Sequence, residues 1–207
     1  FGEASEALGL VLWDLVAYGP EEQLNQTHNT QPDMLVSGAA CWRVWQEQGG
    51  SSASYLAGHS LGEYTALTCA GVIDFSDAVK LVAERGKLMQ SAVPEGTGAM
   101  AAVLGLEDDA VRQACKDSAE GQVVQAVNFN SPGQVVIAGH AEAVERAIGQ
   151  AKEAGAKRAL KLPVSVPSHC ELMKPAAEQL GVYMQKLAFN APVTPVIHNV
   201  SAATADE

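Results

Sequence analysis

The chain has 207 residues, enough to bury a sizeable core in one domain or two. With 47% hydrophobic and 18% charged residues it has the composition of a folded protein, and its formal net charge of −11 argues against nucleic acid as a partner. No apolar run approaches ~20 residues, so no membrane span is expected, and no signal peptide either.

Residues 1–50 read as helical. Leu8, Leu12 and Leu15 fall at helical spacing, and Gly19-Pro20 punctuates the run. Residues 21–24 form a short helical piece, and residues 27–32 are a polar loop. A long apolar helix is predicted over 33–48, with Leu35, Ala39, Trp42 and Trp45 on a core-facing side, stopped by Gly49-Gly50. A short apolar run (Tyr55, Leu56, Ala57) then leads into Gly58-His59-Ser60-Leu61-Gly62, and a helical run leaves it. After Gly71 another helix, capped by Ser76 or Asp77, runs to about residue 93. The cluster Pro94 to Gly98 marks a boundary.

Beyond it the pattern changes. Residues 99–104 read as a strand, 108–119 as a helix, 123–129 and 134–138 as strands joined by Asn130-Ser131-Pro132-Gly133, 141–154 as a helix and 158–164 as a strand. This strand-helix-strand-strand-helix-strand order is ferredoxin-like. An amphipathic helix to about residue 187 follows, and residues 193–200 read as a buried strand. A small α+β domain, residues 96–165, is therefore expected inside a larger α/β domain formed by residues 1–95 and 166–207. The opening at Phe1, without methionine, and the close at Ala205-Asp206-Glu207 read as a piece of something longer.

Gly-x-Ser-x-Gly between strand and helix is the nucleophile-elbow pattern. Glycines two residues either side of Ser60 are expected to be demanded by the tight turn. The Leu61 N–H, at the first turn of the helix, would face an oxyanion formed during attack by the serine. A serine needs a base, and five histidines are available. His28, His140 and His198 fit surface or satisfied structural positions. His59 adjoins Ser60 at a sharp turn and points elsewhere. His169 sits where the chain re-enters the large domain, between Pro167 and a new helix, and is the candidate base. Arg85 can be a solvated arginine paired with Glu84. Gly86 beside it favours a close approach, because a mid-helix glycine costs ~1 kcal/mol against alanine. Cys41, Cys69, Cys115 and Cys170 are widely spaced, as free thiols in a reducing cytosol would be, and no set of residues has metal-ligand spacing.

Taken in order, Gly58-His59-Ser60-Leu61-Gly62-Glu63-Tyr64, Glu84-Arg85-Gly86 with Met89-Gln90, Gly96-Thr97-Gly98-Ala99-Met100, Asn128-Phe129-Asn130-Ser131-Pro132-Gly133-Gln134 and Pro167-Ser168-His169 carry a resemblance. The chain resembles the bacterial malonyl-CoA:acyl carrier protein transacylases of type II fatty acid synthesis. The resemblance implies an α/β fold, with an α/β-hydrolase-like large subdomain holding a parallel sheet and an inserted ferredoxin-like small one. It implies Ser60 as nucleophile, His169 as base, Leu61 in the oxyanion hole and Arg85 as the holder of the malonyl carboxylate. Gln31, Met89 and Asn128 are expected to contact substrate. No cofactor is implied beyond the coenzyme A thioester used as substrate, and the partners are malonyl-CoA and acyl carrier protein, with a cytoplasmic monomer expected. An N-terminal strand with a Gly-Gln-Gly-Ser-Gln motif should precede Phe1, and a C-terminal stretch that orients the histidine should follow Glu207. A serine hydrolase or thioesterase would share Ser60 and His169, and a non-catalytic carrier-binding module is the rival from another class. Carrier proteins are acidic, so Lys152, Lys157, Arg158 and Lys161 are the expected docking face.

Overall fold

Gly9 divides the first predicted helix. Its left-handed φ of 69° ends α1 (Gly2–Leu8), and a second helix, α2 (Leu12–Tyr18), starts afresh with Leu12 buried. The structure, a computed structural model, describes residues 1–164 and 166–204, so the chain end at 205–207 lies outside it. Two compact units are present, Phe1–Lys87 with Leu180–Glu207, and Leu88–Gln179.

The first unit is mainly helical. After α3 (Glu21–Leu24) comes α4 (Thr27–Glu47), which begins six residues earlier than the predicted helix. Pro32 lies inside α4. It removes one backbone hydrogen bond, which disfavours a helix locally. Burial of Gln31, Pro32, Leu35, Val36 and Ala39, and Thr30 Oγ1 donating to the Leu24 carbonyl at 2.5 Å, carry the helix through it. The tryptophans depart from expectation. Trp45 is 51% exposed, and it lines a cavity of about 780 Å³ with Trp42, Met34, Gly58 and Leu61. The strand β1 (Leu56–Ala57) precedes α5 (Leu61–Cys69) and α6 (Phe75–Ser91). Asp74, not Ser76 or Asp77, caps α6, accepting from the Ser76 N–H at 2.9 Å. The predicted strand at 193–200 shrinks to β6 (Val196–Ile197), because Val193 and Val200 are 82% and 97% exposed. β6 pairs parallel with β1, Leu56 opposite Val196 and Ala57 opposite Ile197.

One group in this unit is out of place energetically. Asp33, on α4, is 5% exposed, and neither carboxylate oxygen has a hydrogen-bond partner among the described residues. Burial pushes its carboxyl up to about 6. A folded-state value above the ordinary 3.8 means that folding is unpenalised below about pH 4 and carries the full penalty above about pH 6. Asp33→Asn is therefore expected to stabilise the protein by roughly 2 kcal/mol near neutral pH, with the gain vanishing as pH falls below about 4. Denaturant titrations at both pH values measure this. A gain independent of pH would show that ionisation is not its cause.

The second unit follows its sequence pattern closely. Strands β2 (Gly98–Leu104), β3 (Val124–Ser131), β4 (Gln134–His140) and β5 (Arg158–Lys161) form an antiparallel sheet ordered β3-β4-β2-β5. Helices α7 (Asp108–Ser118) and α8 (Ala141–Glu153) complete the ferredoxin-like order. Alternation explains the layers. Ala99, Ala101, Val103, Val135 and Ile137 face the core shared with Val111, Val144 and Ile148 of the two helices. Met100, Val136 and Ala138 take the opposite face, where Cys170 packs. α9 (Lys174–Met184) follows a 3-10 turn at Glu171–Met173, and the division between units falls inside α6 and again inside α9. No described helix is long and apolar enough to cross a membrane.

Candidate active site

The elbow forms because β1 ends at Ala57 and α5 starts at Leu61, leaving three residues to reverse the chain. Gly58 is sterically required, since a Cβ there would overlap the Gly62 carbonyl and the Glu63 nitrogen. Gly62 is not, because a Cβ there meets nothing within 4 Å among the described residues. Ser60 sits at φ 53° and ψ −108°, a strained conformation for a residue with a side chain, of order 1–3 kcal/mol. Four described non-glycine residues have positive φ: Ser60, Glu120, His169 and Ala202. The serine and histidine singled out from sequence are two of them.

The N-terminus of α5 lies directly behind Ser60. The Glu63 N–H donates to the Ser60 carbonyl at 3.1 Å and the Gly62 N–H to the His59 carbonyl at 2.9 Å. Leu61 is the first helical residue, where backbone N–H groups lack intrahelical acceptors and the helix dipole is positive. A negative charge growing near Ser60 Oγ would meet that end of the helix.

Arg85, on α6, comes to the same place. Its Nη2 lies 3.4 Å from Ser60 Oγ, the long end of hydrogen-bonding range, and its Nη1 donates to Gln31 Oε1 at 2.6 Å. Its guanidinium carbon is 5.4 Å from the centre of the Tyr64 ring. Gly86 makes this possible: a Cβ there would lie 2.5 Å from His28 Cα and 2.7 Å from the Thr27 carbonyl oxygen. The first turns of α4, which carry Gln31, can therefore lie against α6. Burial pulls the Arg85 guanidinium below its ordinary value while Tyr64 opposes, and arginine remains charged throughout the working range. The alternative pairing with Glu84 is not what positions it.

Parallel pairing of β1 and β6 supplies what sequence reasoning missed. Residues after β1 and after β6 emerge side by side, so His198 and Asn199 flank the elbow. Asn199 Oδ1 accepts from the Ser60 N–H at 2.6 Å. Glu63 Oε1 lies 2.8 Å from His198 Nδ1. His198 is thus a partnered histidine, as expected, and so is His140, whose Nδ1 accepts from the Val123 N–H at 3.0 Å. No sequence signal linked Asn199 to a serine 139 positions away.

The remaining candidates belong to the second unit. His169, exposed at φ 67°, stands before Cys170, which caps the 3-10 turn. Met89 is 8% exposed and packs with Val166 and Met173. Asn128 lies on β3 at a shift in register with β4. The structure thus brings Ser60, Leu61, Arg85 and Gln31 together within one unit. Among the described residues no cluster could hold a metal ion.

A family model described as an acyl transferase domain matches residues 3–207. The malonyl CoA-acyl carrier protein transacylase of Escherichia coli K12 is 66% identical over 200 residues, 97% of this chain and 65% of that protein. The solved structure of the Coxiella burnetii malonyl CoA-acyl carrier protein transacylase matches with a TM-score of 0.99 at 51% identity, over 100% of this chain and 66% of that one. A malonyl-transacylase solved in complex with its type II polyketide synthase acyl-carrier protein matches with a TM-score of 0.98 at 60% identity, over 100% and 67%. The chain spans 65% of the length of the Escherichia coli relative. With its matched domain, its α/β fold and its elbow serine beside a half-buried arginine, the chain belongs to the family of malonyl CoA-acyl carrier protein transacylases.

Proposed function

We propose that this protein moves a malonyl group from malonyl-CoA to the phosphopantetheine thiol of an acyl carrier protein, through a malonyl ester on Ser60, in fatty acid synthesis. The observation that carries the reading is Arg85, a charged guanidinium 3.4 Å from Ser60 Oγ with Gln31 fixing its fork. A malonyl group on that oxygen has its free carboxylate one methylene beyond the ester carbonyl, within reach of a bidentate arginine contact.

Ser60 Oγ attacks the thioester carbonyl as His169 takes its proton, and the Leu61 N–H stabilises the oxyanion. The carbon–sulfur bond breaks, and coenzyme A leaves with the proton from His169. The carrier thiol then gives its proton to His169 and attacks the ester, and Ser60 recovers the proton as the malonyl group departs. Met89 and Asn128 serve as substrate contacts. The names of the relatives, one of them solved with its carrier protein, support the substrate and the acceptor. The free, mostly half-buried or buried cysteines fit a reducing cytoplasm, and a monomer is the proposed state, which sedimentation tests.

Mixing malonylated protein with carrier protein carrying a free thiol tests the acceptor. The malonyl group should appear on the thiol, and release to water instead would make the protein a hydrolase or thioesterase. For docking, Lys157, Arg158 and Lys161 place positive charge on and beside β5, an edge strand. Charge reversal at Lys157 and Arg158 should raise KM for the carrier protein several-fold and leave that for malonyl-CoA unaltered. An unchanged carrier KM would move docking elsewhere.

A further inference from the structure

Ser60 is held by more than its place in the turn. Its N–H donates to Asn199 Oδ1 at 2.6 Å, while Asn199 Nδ2 donates to the Gly58 carbonyl at 2.5 Å. One side-chain amide therefore spans both limbs of the bend whose apex is His59. Asn199 is itself fixed, since its N–H donates to Glu63 Oε2 at 2.9 Å. The other oxygen of Glu63 lies 2.8 Å from His198 Nδ1, and His198 N–H donates to the Ala203 carbonyl at 3.0 Å. Glu63 stands on the first turn of α5, where the helix dipole favours a carboxylate. The ring closes through the elbow, the helix start and the residues after β6.

A side-chain-bearing residue in a sparsely populated backbone conformation persists only where its surroundings over-determine it. Within the turn the Gly62 N–H donates to the His59 carbonyl at 2.9 Å, and Asn199 adds a brace from outside it. The geometry points to Asn199 as the positioning residue of the nucleophile, with Glu63 and His198 as its support. Asn199 acts through Ser60: by fixing both limbs of the bend it sets where Oγ points relative to Arg85 and the α5 N-terminus. This role rests on the acylation proposed above.

The test compares wild type, Asn199→Ala, Asn199→Asp and Glu63→Gln. Asn199→Ala should slow Ser60 acylation by malonyl-CoA by about 30–100-fold, the scale of an ångström of misplacement. The Kd for malonyl-CoA should stay within about twofold, because Arg85 and Gln31 are untouched. Asn199→Asp keeps the acceptor for the Ser60 N–H and loses the donor to Gly58, so its loss should be intermediate, as should that of Glu63→Gln. Should Asn199→Ala not fold, Asn199→Asp carries the same comparison. A lowered Tm with an unchanged acylation rate per folded molecule would make Asn199 merely structural and overturn the proposal. A fluorophosphonate, which needs only a reactive serine, separates this account from the proposed function. Wild type phosphonylated at Ser60 but inert to malonyl-CoA would sink the transacylase reading, whereas equal phosphonylation rates for wild type and Asn199→Ala would sink the positioning role.

Discussion

Arg85→Ala is expected to cut malonyl transfer by about 30-fold or more while leaving acetyl transfer little changed or raised. Removing one partner from a guanidinium–carboxylate pair in a partly buried place costs on the order of 2–5 kcal/mol, and 2 kcal/mol corresponds to about 30-fold in rate. The guanidinium is shielded enough for burial to pull on its protonation, so the pair would be poorly screened. Acetyl has no carboxylate, and wild type forces it to sit beside an unpaired charge. Arg85→Lys should rescue only partly. An ammonium makes one contact where the fork makes two, and it would forgo the hydrogen bond that orients the fork through Gln31. Rates of serine acylation by malonyl-CoA and acetyl-CoA decide the matter. Equal losses for both substrates would reduce Arg85 to a structural residue.

The second large effect concerns the base. His169→Ala is expected to slow acylation of Ser60 by about 10²–10⁴-fold, the usual range for a positioned proton acceptor, with malonyl-CoA binding retained. Its left-handed backbone is the kind of strain that collects at functional positions, and Cys170, next in the chain, is anchored by its Sγ donating to the Pro167 carbonyl at 3.1 Å. Single-turnover kinetics separate the two quantities. A His169→Ala protein that acylates at the wild-type rate would send the search for the base elsewhere.

How much of this was legible depends on how local each determinant is. The elbow is written in five consecutive residues, because the turn needs Gly58 within them. The small sheet is legible from short apolar runs separated by turn residues such as Asn130-Ser131-Pro132-Gly133. Gly86 flagged Arg85, since its missing Cβ is the condition for α4 to approach. The start of α4 was hidden because Pro32 argues locally for a loop, while buried Gln31, Leu35 and Val36 argue for the helix only once packed. The exposure of Trp45 and the shortness of β6 were hidden too, since an apolar residue reads as buried until its neighbours are known. Asn199 was the least legible, because only the β1–β6 register brings it to Ser60.

The most direct measurement is peptide mass spectrometry after brief incubation of the protein with malonyl-CoA. The account predicts one malonyl group per molecule, on the peptide that contains Ser60, and none in Ser60→Ala. A malonyl group on another residue, or its persistence in Ser60→Ala, would contradict it.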